Sequence, residues 1–177
     1  MPTGADNWSS AEYGGNGNIY VIGGAVGGNL TRIYNIASNT WSTGTGVPTA
    51  IKGAAHAYYN GKIYLMGGQT GSSAISTVRI YDIASNTWSL GASLPQGEME
   101  MGAGVINGKI YVAGGSTASA SGISTAYVYD IATNIWAPLV PMINPANYPG
   151  SVVINGRLWV IGGGMNLLSN FAPESIE

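Results

Sequence analysis

The chain is laid out as short apolar runs of four or five residues, each bounded by Gly, Asn, Ser or Thr, and the runs recur in register. Four copies of one block stand out: NGNIYVIGG from Asn16, NGKIYLMGG from Asn60, NGKIYVAGG from Asn107 and NGRLWVIGG from Asn155, with starts spaced by 44, 47 and 48 residues. A second block follows three of them: RIYNIASNTW ending at Trp41, RIYDIASNTW ending at Trp88 and YVYDIATNIW ending at Trp136. From each of these Trp residues to the next Asn-Gly is 19 residues. Such a period marks a repeat architecture, in which each copy is one supersecondary unit that buries its faces against its neighbours.

One unit reads as four strands, a to d. Asn-Gly between two apolar runs predicts a two-residue hairpin joining a to b, because both central positions of a type I′ turn need positive φ. Runs such as Ile63-Tyr64-Leu65-Met66 are continuous rather than alternating, which predicts a strand b buried on both faces between stacked sheets. The doublets that end strand b are Gly23-Gly24, Gly67-Gly68, Gly114-Gly115 and Gly162-Gly163. They supply unusual φ and let backbones approach closely. Strand c carries Ile80-Tyr81-Asp82, Ala84-Ser85-Asn86 makes a tight turn in which Asn tolerates a left-handed conformation, and Trp88 lies on strand d. The pairs Tyr34 and Trp41, Tyr81 and Trp88, Tyr129 and Trp136 each have six residues between them, so every unit sets a large aromatic on each of two paired strands, where the rings wedge adjacent sheets together.

A glycine doublet after an apolar strand, followed by this Tyr and Trp, resembles the Kelch repeat, here of the bacterial multi-Kelch type, over about residues 16 to 163. The resemblance implies an all-β protein: a β-propeller of four-stranded antiparallel blades, with strand a lining the central channel and strand d at the rim. One propeller segment is expected over residues 1–177, with repeats at about 11–52, 53–99 and 100–147 and a partial fourth at 148–177 that ends where its strand c should begin. Trp8 stands only 8 residues before its Asn-Gly, so it is not the ordinary strand d Trp of a preceding blade. Propellers typically carry about four to eight blades. The ring is therefore expected to be completed by further blades of a longer chain, the preferred reading, or by assembly of two or more copies.

Composition narrows the function. Charged residues make up 8% of the chain and the formal net charge is -2, so no basic footprint for nucleic acid or for an anionic membrane is present. No apolar run approaches membrane-spanning length, and no membrane insertion is expected. Cys is absent, which excludes disulfides, thiolate zinc sites and a Cys nucleophile. No cofactor is expected. The low charge and the Gly, Ser, Thr and Asn content lean towards a secreted or cell-surface setting.

Chain direction places the b to c and d to a loops at one end of the blades and the tight turns at the other, so the loop-rich end is the expected binding face. Its b to c loops are AVGGNLT (25–31), QTGSSAIST (69–77) and STASASGIST (116–125), and its d to a loops include LGASLPQGEMEM (90–101) and APLVPMINPANYPG (137–150). The candidate binding residues there are Gln69, Thr70, Glu98, Glu100, Asn147 and Tyr148. Glu98 and Glu100, two residues apart, are expected to point the same way and to be solvated. His56 is the only histidine, aligned with Glu12, Ala103 and Ser151, and by itself builds neither a Ser/His/Asp triad nor a multi-histidine metal site. Asp82, Asp130 and the equivalent Asn35 are expected to bond the c to d turn. Gly61-Lys62 and Gly108-Lys109 do not form a phosphate loop, because Ile follows and a strand begins there. The sequons at Asn7 and Asn29 are of a kind that occurs by chance.

The expected function is a non-catalytic binding scaffold that presents these loops to a protein or glycan partner. The alternatives are a carbohydrate-active enzyme resembling the epimerase type of Kelch propeller, or a purely structural self-assembling module. A galactose-oxidase-like chemistry is closed by the lack of the Cys that its linked tyrosine needs.

Overall fold

The structure is a computed structural model that describes residues 10–24, 28–117, 121–163 and 174–176. These residues form strands, turns and loops, with no helix among them. The first blade is β1 (Ser10–Tyr13), β2 (Asn18–Ile22), β3 (Thr31–Asn35) and β4 (Thr40–Gly44). The second is β5 (Ala55–Tyr59), β6 (Lys62–Met66), β9 (Val78–Asp82) and β10 (Thr87–Gly91), with a small hairpin of β7 (Gln69–Thr70) and β8 (Ser73–Ala74) in its b to c loop. The third is β11 (Gly102–Ile106), β12 (Lys109–Ala113), β13 (Ala126–Asp130) and β14 (Ile135–Pro138). The fourth holds β15 (Gly150–Ile154), β16 (Arg157–Ile161) and β17 (Glu174–Ile176). Each sheet is an antiparallel meander, and the a strands β1, β5, β11 and β15 neighbour one another in turn along the inside of an open arc.

Two expectations change. β17 pairs with β16 through Leu158↔Ile176 and Val160↔Glu174, so the fourth blade does gain a third strand in the position of strand c. The first hairpin is also longer than a two-residue Asn-Gly turn: Gly14 N donates to Asn18 O at 3.0 Å, and the loop of Gly15 to Gly17 carries positive φ at both glycines. At Asn60, Asn107 and Asn155 the left-handed Asn followed by left-handed Gly is present as expected. The longer first loop shifts register, so Glu12 pairs with Tyr20, the position that Ala57 takes opposite Tyr64, rather than the position of His56.

Between four blades lie three cores. Tyr20 and Ile22 pack with Ile63 and Leu65, Tyr64 and Met66 pack with Ile110 and Val112, and Ala113 packs with Leu158 and Val160. Strand β6 is thus buried on both faces, which is why its run is continuously apolar. Strand β16 buries Leu158 and Val160 on one side and exposes Ile161.

The glycine doublets staple blade to blade. In the first three doublets the first Gly donates within its own blade, to Leu30, Thr77 or Thr125, while the second donates across to the next repeat's loop: Gly24 to Ile51 O at 3.0 Å, Gly68 to Glu98 O at 2.8 Å, Gly115 to Ala146 O at 2.7 Å. A Cβ at Gly67 would lie 2.1 Å from Glu98 O, and its φ of 62° is left-handed, so only glycine fits.

The aromatic pairs form a second clasp. Tyr81 and Trp88 are direct cross-strand partners with ring centroids 5.0 Å apart, and Tyr129 and Trp136 repeat this at 4.9 Å. The Trp88 indole donates to Thr45 O at 2.9 Å and Trp136 to Ala92 O at 2.8 Å, both on the preceding blade. Left-handed Asn86 and Asn134 complete it, each accepting the Tyr hydroxyl of its own blade and the N–H of Thr45 or Ala92.

Candidate binding site at the channel mouth

The a strands start at the loop-rich end and run along the inside of the arc, the side that lines the channel of a closed propeller, and the residue seven places before each Asn-Gly occupies the mouth there. In the second, third and fourth blades that residue is Gly53, Glu100 and Tyr148, with φ of 62°, 62° and 56°. Left-handed backbone suits glycine and strains other residues by about 1–3 kcal/mol each. The third and fourth blades therefore hold a carboxylate and a phenol where the second shows that glycine would fit without strain.

These three positions, with Ala54, His56, Met101 and Pro149, line a cavity of about 260 Å³. Glu100 is 8% exposed; its Oε2 accepts from the Ser116 hydroxyl at 3.0 Å, whereas its Oε1 is buried without a hydrogen-bond partner. Glu100 N donates to Gly53 O at 2.7 Å, which ties the two rims together. The Tyr148 ring is half exposed; burial of its hydroxyl first, then its hydrogen bond to the Glu100 carboxylate and that carboxylate's charge, push its pKa up to about 12. His56 Nδ1 lies 3.1 Å from Glu12 Oε2, across the gap between first and second blades. The mouth is thus acidic, with an aromatic face beside the carboxylate.

The other predicted site residues scatter. Glu98 is not on the open face beside Glu100: it is 1% exposed, and its Oε1 accepts from Gln96 Nε2 at 2.6 Å and Thr125 Oγ1 at 2.7 Å. The left-handed turn at Glu100 breaks the alternation that would have pointed both side chains the same way. Asn147, next to Tyr148 in sequence, is buried rather than presented. Gln69 and Thr70 lie on β7, half-buried; Gln69 helps to line a separate cavity of about 190 Å³ with Ile51 and Lys52, and the Thr70 hydroxyl donates to Ala50 O at 3.1 Å. Trp8, the sequon at Asn7, residues 25–27 of the first b to c loop and 118–120 of the third lie outside the described residues. The c to d turns behave as expected, with Ser85 N donating to Asp82 at 3.0 Å, Thr133 N to Asp130 at 3.0 Å and Ser38 N to Asn35 at 2.9 Å. Lys62 and Lys109 pair with Asp82 and Asp130 on these same strands. Gly53, Met101 and Pro149 are not in the sequence-based site; counting back from each Asn-Gly aligns Gly53 with Glu100 and Tyr148 at seven places, and Met101 and Pro149 with Ala54 at six.

Blades, staples and aromatic clasps agree with the sequence comparison, in which the KLHDC2/KLHL20/DRC7 Kelch-repeats domain matches residues 1–163. The chain belongs to the Kelch-repeat family. No curated protein matches it. Kelch-repeat domains serve as protein-interaction scaffolds. Among the described residues of this Kelch-repeat chain, no helix is long and apolar enough to cross a membrane, and no three His, Cys, Asp or Glu side chains converge on a metal-sized site.

Proposed function

We propose that this Kelch-repeat chain is a non-catalytic protein-binding module whose partner docks on the loop-rich end and places a basic side chain in the channel-mouth cavity. The observation that carries the reading is Glu100, held in a left-handed backbone at the rim and largely buried, its carboxylate met by the hydroxyls of Ser116 and Tyr148 but by no ion-pair partner among the described residues. A buried carboxylate without a counter-charge is costly, and an incoming ammonium or guanidinium relieves that cost. The Tyr148 ring beside it suits a cation on its face.

The test is a titration followed by amide NMR, using a short Arg-containing peptide, the same peptide with Glu in place of Arg, and a neutral oligosaccharide. The Arg peptide is expected to move signals of Gly53, Glu100 and Tyr148 saturably, and Glu100→Gln to weaken it roughly tenfold or more. Preference for the Glu peptide would refute the reading, and a response to the oligosaccharide alone would make the partner a glycan.

A further inference from the structure

Arg79 occupies a register position on strand c that is Arg32 in the first blade and Tyr127 in the third, opposite Leu65, Val21 and Val112 respectively. Its side chain is 6% exposed, and burial lowers its pKa, yet a guanidinium stays charged in a protein. Nη1 is sealed from solvent without a hydrogen-bond partner. The carboxylates that form ion pairs among the described residues, Glu12, Asp82 and Asp130, are engaged by His56, Lys62 and Lys109. A buried charge normally has a counter-charge.

The third blade shows how the fold treats this position otherwise. Tyr127 is neutral there, and Glu98 of the preceding loop lies close enough to raise its pKa further after burial has done so. Nine places before its Asn-Gly the second blade's own loop carries Ile51 instead of an acid. The chain therefore brings no acid to Arg79 from the place where the next repeat has one.

Arg79 also forms part of the wall of a cavity of about 350 Å³ between the second blade and the loop that joins it to the first, together with Pro48, Thr49, Thr77, Trp88, Ser89 and Leu90. One cation, three hydroxyls, an indole and aliphatic wall suit a small anion carried on an apolar body. We propose that this cavity is a carboxylate-binding site, in which the ligand carboxylate docks on the Arg79 guanidinium and its apolar body rests against Trp88 and Leu90. Guanidinium and carboxylate match as a planar, two-pronged pair, here through the Nε–Nη2 edge, since Nη1 is sealed. A phosphate dianion would enter a half-apolar cavity with a single counter-charge. None of these residues lines the channel mouth, so the two sites stand or fall separately.

The experiment follows the indole N–H of Trp88 by NMR during titration with isobutyrate, with a short peptide ending in Leu, with the C-terminal amide of that peptide, and with inorganic phosphate. Both carboxylates are expected to shift it saturably while the amide does not; tighter binding of the peptide identifies a chain end as the source, and tighter binding of isobutyrate a free acid. Arg79→Met should weaken the response roughly tenfold or more, with no drop in unfolding temperature in the absence of ligand, because the variant removes an uncompensated buried charge. An amide that binds as well as the acid, phosphate that binds better than either carboxylate, or a carboxylate response that survives Arg79→Met would overturn the proposal. The amide comparison uses the unaltered chain and decides the matter should the variant not fold.

Discussion

Glu98 and Glu100 share a loop and a chemistry but are held in different ways, and burial sets how Glu98 titrates. Burial raises the Glu98 pKa, with the hydrogen bonds from Thr125 and Gln96 pulling it partly back. A raised folded pKa means that the contribution to stability is greatest below the ordinary value of 4.5 and is lost as pH rises through the folded value. Asp82 and Asp130 run the other way. Their Lys62 and Lys109 partners, then the backbone N–H groups of Ser85 and Thr133, hold them low, Asp130 at about 2. Their contribution is present above the ordinary 3.8 and fades as pH falls through the folded value. Both Glu98 hydrogen bonds end on one oxygen, so Glu98→Gln can keep them while removing the charge. The variant is expected to unfold at higher denaturant than the unaltered chain at neutral pH and to lose that advantage in acid; equal midpoints at neutral pH would count against a buried charged Glu98. The sequence showed two carboxylates but not that a left-handed Glu100 separates them.

At the scale of the element, the repeat was legible because each strand's role leaves a mark on residue type. Asn-Gly, the doublets and the Tyr–Trp pairs appeared where expected, since turn conformation and close backbone approach restrict which residues fit. The doublets owe their constancy to carbonyls of neighbouring loops. Gly67→Ala meets both the strain of left-handed φ and a backbone oxygen 2.1 Å from the new Cβ, whereas Gly71→Ala meets strain at φ 61° with open space around it. Gly71→Ala is expected to cost about 1 kcal/mol, and Gly67→Ala at least about 2 kcal/mol, in urea unfolding. Similar losses would mean that the blade-to-blade staple at Glu98 O contributes little. The first hairpin departs from the other three because Gly14 and Gly15 extend a turn whose Asn-Gly looks like theirs.

For the molecule as a whole, the outward sides of the arc matter most. Trp41 sits where Trp88 and Trp136 clasp a preceding blade, and it makes no such bond among the described residues. On the fourth blade Val152, Ile154 and Ile161 are exposed on strands β15 and β16. Apolar surface of this kind favours association. Light scattering across a dilution series is expected to show a mass that rises with concentration, and Val152→Lys with Ile161→Lys to reduce it; a constant single-chain mass for the unaltered protein would rule out association through this face.

Sequence alone determined the blades, because turn chemistry, strand length and aromatic pairing act within about 45 residues and repeat with the unit. The tertiary structure decided what the loops do. Whether Glu98 is buried, whether Glu100 and Tyr148 meet Gly53 at one rim, and whether Arg79 finds an acid all depend on which neighbouring blade each side chain faces. That is a relation between residues nearly a repeat apart, and the periodic pattern, being the same on every blade, does not encode it.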